Sequence, residues 1–93
     1  MIVYAECSFI IPMAASLKDK RSVLKRMIDR VKNGYNVSIA ELDHQDLWQR
    51  TTLGVVAIAS STEAAEREIH RVQRFLESNP DWELTEIQID YPG

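Results

Sequence analysis

"IVYAECSFIIPMAASLKDKRSVLKRMIDRVKNG", residues 2–34, changes its hydrophobic period part-way along, and that change decides the fold. Val3, Ala5, Cys7, Phe9 and Ile11 alternate with Ile2, Tyr4, Glu6, Ser8 and Ile10, which predicts a strand over 2–11 that Pro12 ends. Ser16 followed by Asp19 forms a capping box with Asp in place of Glu. Leu17, Val23, Leu24, Met27, Ile28 and Val31 then recur at helical spacing, and Gly34 is expected to stop this helix from a C′ position.

Downstream the same strand-then-helix order returns in a different arrangement. Asn36–Leu42 and Leu53–Ser60 are β-branched runs that predict two strands, joined by a connection longer than a tight turn. The second of these is apolar on both sides, as a strand buried on both faces would be. Gly54 within it points to a bulge or to the close approach of another backbone. Ser60 with Glu63 offers a second capping box, and Ala65, Ile69, Val72 and Leu76, broadened by Ala64 and Phe75, form an apolar helical stripe ended by Asn79-Pro80. Trp82–Tyr91 is a final strand, with Ile87, Ile89 and Tyr91 opposite Glu86, Gln88 and Asp90.

The order is therefore βαββαβ. Right-handed crossovers turn this order into an α+β, ferredoxin-like sandwich, a four-stranded antiparallel sheet with two helices on one face. At 93 residues, 45% of them apolar, the chain is expected to be a single domain over 1–93. Ile2, Ile10, Trp82 and Leu84 are candidates for the uncovered face of the sheet, which would pack on a second copy in a homo-oligomer such as a dimer.

No stretch approaches the roughly 20 apolar residues of a membrane span. The start MIVYAECSFII lacks a basic leader, so the expected location is cytoplasmic, with no membrane partner. Cys7 is the single cysteine, which excludes an intramolecular disulfide.

Charge is distributed unevenly. Residues 16–33 hold seven cations against Asp19 and Asp29, a local +5 in a chain of net −3, so the remainder carries −8. At about 100° per residue, Lys18, Arg21, Lys25 and Lys32 share the side of the first helix opposite Leu24, Met27 and Val31. Such a stripe matches a phosphate backbone by charge, and it competes with the reading of an ordinary solvated helix face. Arg67, Arg71 and Arg74 on the second helix repeat the pattern, but Glu63, Glu66 and Glu77 are expected to neutralise them.

"AELDHQDLWQRTTLGVVA", residues 40–57, interrupts the strand pattern with polar and aromatic side chains. It admits a metal site from Glu41, Asp43, His44 and Asp46, although a single His is not diagnostic. It also admits a nucleophile if Cys7 met His44 and Asp46, although Cys7 reads as a core residue. The favoured reading is an interaction loop. Trp48 packs as its anchor, Asp46 and Arg50 pair, and Gln45 and Gln49 satisfy loop backbone.

"SLKDKRSVLKRMIDRVKNGYNVSIAELDHQDLWQRTTLGVVAIAS", residues 16–60, resembles the core of the bacterial YlxP-like family, a family of unknown function. Ser16, Lys18, Lys20 and Arg21 match its SLKEKR motif with Asp19 in the Glu position, and Gln45, Asp46, Trp48, Gln49 and Arg50 match as well. The resemblance implies the ferredoxin-like fold and genes near those for translation initiation and ribosome maturation. It implies no reaction and carries over no catalytic residue.

The expected function is a non-enzymatic, translation-associated module that binds RNA or the ribosome through Lys18, Arg21, Lys25 and Lys32, with Arg50 as an extension and no metal or cofactor. The sheet itself is a poor base-stacking platform, because the third strand has no aromatic residue.

Overall fold

The chain runs β1 (Ile2–Ile10), α1 (Leu17–Gly34), β2 (Val37–Asp43), β3 (Arg50–Ile58), α2 (Thr62–Glu77) and β4 (Glu83–Asp90) in a computed structural model that describes residues 1–44 and 47–93. The sheet order is β2-β3-β1-β4, and every neighbouring pair is antiparallel. Both helices cross over one intervening strand and cover the same face, which is the ferredoxin-like arrangement.

Alternation in β1 places Val3, Ala5, Cys7 and Phe9 under the helices, opposite Ala57, Val55, Leu53 and Thr51 of β3. Leu24, Met27 and Val31 come down from α1, and Ala65, Ile69, Val72 and Leu76 from α2. Helix entry follows local chemistry: Ser16 Oγ accepts the Asp19 N–H at 3.1 Å, while the Asp19 carboxylate accepts the Ala15 N–H at 3.0 Å. The second helix is capped one residue later than expected, by Ser61, whose Oγ accepts the Ala64 N–H.

Several expectations are corrected. Trp82 belongs to the core: it stacks on Phe9 at 4.2 Å between ring centroids and donates its indole N–H to Leu76 O. Leu84, opposite Phe9, packs against the same core. Neither residue is available on the uncovered face. A register shift between Ser8 and Phe9, where Thr85 is the extra residue, shifts the alternation of β4 and turns its first apolar residue inward. β3 is covered on one side only, because Val56 and Ile58 point away from the helices and stay exposed.

Gly34 is the last residue of α1 and has an ordinary negative φ; Tyr35 caps the helix through its N–H to Val31 O. Gly54 sits in regular register, and what crosses it is a side chain. A Cβ there would meet Leu42 Cδ1 at 2.7 Å.

Trp82→Ala removes the largest aromatic contact of the core and should lower unfolding free energy by about 3–5 kcal/mol. A urea titration monitored by circular dichroism reads this as an earlier midpoint.

Candidate functional site

One turn into α1, Lys20 falls on the same stripe as Leu24, Met27 and Val31, and only 1% of its side chain is exposed. An ammonium ion in such a place must use all three of its N–H bonds. Its Nζ donates to His44 O at 2.5 Å and Leu47 O at 2.6 Å, and it pairs with Glu41 Oε2 at 2.9 Å. The hydroxyl of the fully buried Thr51 donates to the same carboxylate oxygen at 2.7 Å.

The strands supply these acceptors through an irregularity. The β2–β3 register shifts between Glu41 and Asp43, so Glu41 stays on the helix side while Leu42 and Asp43 line cavities of the uncovered face. His44 follows with φ of 64°, a left-handed conformation that His adopts more readily than most residues. Its N–H donates to Asp43 Oδ1, and its carbonyl also accepts the Leu47 N–H at 3.0 Å. At the other end of the connection, Gln49 Nε2 donates to Ala14 O and Ile11 N–H donates to Gln49 O.

His44, Leu47 and Gln49 are thus fastened to the segment that leads into α1 and to its first turn. The Gln49 side chain donates to the backbone of the segment before α1 and not to that of its own loop. Trp48 is not the anchor: 47% of it is exposed, and Leu47 beside it is 48% exposed. The connection is anchored by Lys20, and Trp48 is displayed. Leu47, Trp48, Gln49 and Arg50 line a groove of about 350 Å³. Gln45, Asp46 and the expected Asp46–Arg50 pair lie outside the described residues.

Lys18, Arg21, Lys25 and Lys32 are exposed on α1. Lys25 pairs with Asp29 at 2.9 Å, in a contact where both side chains are mostly in water. Lys18, Arg21 and Lys32 make no ion pair with any described carboxylate. Arg26, on another flank of the helix, pairs with Asp81. Arg50 is not on this ridge; it stands opposite Ile10 on the uncovered sheet face, although at the α1 end of the connection. On α2 the neutralising partner differs from those expected. Arg71 pairs with Glu68 and lies over the Tyr35 ring, and Glu66 accepts the Tyr91 hydroxyl. The Asn36 N–H and then Arg71 hold the Glu68 carboxyl below its usual range.

Among the described residues no group of three or more His, Cys, Asp and Glu is placed to hold a metal ion. Glu41, the first of the expected ligands, is engaged by Lys20 and Thr51. Cys7 lies in the core, where burial, and then the charge of Glu77, pushes its thiol up to about 11. A thiol so placed stays protonated near neutral pH.

The uncovered sheet face divides into two halves. Ile2 pairs with Ile58 and Tyr4 with Val56, and Leu42 lies over Gly54, giving an apolar half. Glu6, Asp43 and Glu86 line the other half with Ser8, Thr52 and Arg50, and Asp90 stands opposite Tyr4 on the edge strand. Burial, followed by the Glu6 hydrogen bond and the charges of Glu6 and Asp90, raises the Tyr4 hydroxyl above its ordinary value.

A family model described as "Protein of unknown function (DUF503)" matches residues 2–89. The chain belongs to the DUF503 family. It is similar to "Uncharacterized protein YlxP" of Bacillus subtilis strain 168, with 52% identity over 85 residues that cover 91% of this chain and 92% of that one. Among solved structures it is similar to the de novo designed protein Foldit4, with a TM-score of 0.63 and 16% identity over the whole of both chains. A second designed protein, LFR1 1 with ferredoxin fold, gives a TM-score of 0.58 at 19% identity, covering 99% of this chain and 87% of that one. These two likenesses speak for the fold alone. The DUF503 match spans α1, the Lys20 cluster and the Leu47–Trp48 groove, so all of these lie inside the family domain.

Lys20 was legible as one of the basic residues of the motif but not as the centre of the site. The signal was present, since helical spacing sets it in line with Leu24, Met27 and Val31. Lys20→Met removes the ammonium from Glu41 and from both carbonyls, and should cost on the order of 3 kcal/mol. Thermal melts should show the midpoint falling by more than about 10 °C. A change below about 1 kcal/mol is the worth of an exposed pair and would contradict this placement.

Proposed function

We propose that this chain is a non-enzymatic RNA-binding module of the cytoplasm that works in association with translation or the ribosome through the exposed ridge of α1. The observation that carries the reading is that Lys18, Arg21 and Lys32 are exposed and have no ion-pair partner among the described residues, on a chain whose net charge is −3. Lys25 joins them, because an exposed i,i+4 pair with Asp29 is weak enough for a phosphate to replace. The carboxylates Glu6, Glu86 and Asp90 repel a polyanion from the uncovered sheet, so charge orients an RNA toward the helix layer. Translation as the setting rests on the gene neighbourhood that the family resemblance implies. No helix among the described residues is long and apolar enough to cross a membrane.

A second reading is favoured by the apolar half of the uncovered face, where Ile2, Leu42, Val56 and Ile58 are exposed and contiguous, Ile58 at 62%. Such a patch suits packing against a second copy. It occupies the layer opposite the basic ridge, so the two readings are compatible.

Co-sedimentation with ribosomal subunits at two salt concentrations tests the first reading. The wild-type chain should sediment in low salt and be released in high salt, and the triple variant Lys18→Glu, Arg21→Glu, Lys25→Glu should remain in the supernatant at both. Equal sedimentation of the variant contradicts it. For the second reading, light scattering over a concentration series should give a dimer mass that Ile58→Lys reduces to that of a monomer; a monomer at every concentration excludes it.

A further inference from the structure

The groove at Leu47, Trp48, Gln49 and Arg50 combines features that an ordinary surface loop lacks. Its two apolar side chains are each about half exposed, Leu47 at 48% and Trp48 at 47%, yet the main chain beneath them is held by a buried ammonium group and by Gln49. A displayed tryptophan on a mobile loop loses conformational freedom when it binds, whereas one on a fastened loop has already done so. The groove volume of about 350 Å³ is at the low end of the range in which small ligands are held.

Charge selects the occupant. No carboxylate lines the groove among the described residues, in contrast with the cavity next to it, which Glu6, Asp43 and Glu86 share with Arg50. Leu47 is held by Lys20, whose neighbours along α1 include Lys18 and Arg21, which make no ion pair with a described carboxylate. An aromatic face at the end of α1 that carries Lys18 and Arg21 suits a π-faced ligand with negative charge, and an unpaired nucleotide has both properties.

We propose that the Leu47–Trp48 groove is a binding site for one unpaired base of a single-stranded RNA, stacked on the Trp48 indole with the strand's backbone directed toward Lys18 and Arg21 at the start of α1. The proposal rests on the RNA-binding reading above and deepens it. The ridge supplies affinity for any phosphate backbone, and the groove supplies the preference for unpaired strands. It also answers the lack of an aromatic on β3, since the stacking surface is displaced from the sheet to the connection that precedes it.

Anisotropy titrations of the full chain with a short unstructured RNA, and with the same strand annealed to its complement, test this. Wild type should bind the single strand more tightly. Trp48→Ala should weaken single-strand binding roughly tenfold, Trp48→Phe should restore most of it, and duplex binding should be the same in all three. Trp48 emission should also be quenched by the single strand in wild type. Trp82, buried against Phe9, provides a constant background that remains in Trp48→Phe. Single-strand binding that is unchanged in Trp48→Ala but lost on charge reversal of Lys18 and Arg21 overturns the groove and leaves the ridge standing. Absence of RNA binding by the wild-type chain overturns both.

Discussion

The structure depends on one buried cation. Lys20 crosses from the inner stripe of α1 to the strand layer and ends on three oxygens, two of them main-chain carbonyls of the 44–49 connection and one the Glu41 carboxylate. Burying a charge costs several kcal/mol before its partners offset it, and an apolar cluster replacing the ammonium together with its carboxylate would often stabilise a fold equally well. What an apolar residue could not do is hold two carbonyls at fixed points. Lys20 therefore contributes position: it sets where the connection lies against α1, and through Glu41 and Thr51 it ties that position to the start of β3.

From that constraint the division of the surface follows. With Leu47 held to Lys20 and Gln49 to Ala14, Leu47 and Trp48 emerge at the end of the molecule where α1 begins, the end that carries Lys18 and Arg21. The uncovered side of the sheet keeps an apolar half around Ile58 and an acidic half around Glu6 and Glu86. The exposed basic ridge and the exposed apolar patch thus lie on opposite layers, and the two proposed functions draw on different surfaces. The same basic residues spread over both layers would leave neither distinct.

Much of the architecture was legible because burial follows simple periods. The inward set of β1 was readable to the residue, as was the Ser16 cap, since both depend on neighbours in sequence. What was illegible depended on irregularity or on distance. The bulge in β4 reversed the side of Leu84. β3 began at Arg50, three residues before its expected start at Leu53, because Arg50, Thr51 and Thr52 look polar while pairing fully with β1. Trp82 was assigned outward by alternation alone, whereas its stacking on Phe9 links residues far apart in sequence. In the candidate site the basic ridge was readable from spacing. Lys20 was grouped with it by charge, although its helical position already set it among Leu24, Met27 and Val31.

The central claim, that Lys20 holds the connection in place, is tested most directly by amide hydrogen exchange at Leu47, whose N–H donates to His44 O, in wild type and in Lys20→Met. Comparison with Val55 in the core separates local release from global loss of stability. If Lys20 is the fastening, protection at Leu47 should fall by at least about tenfold more than any fall at Val55. Equal changes at both positions, or none at Leu47, would show that the connection keeps its place without the ammonium group.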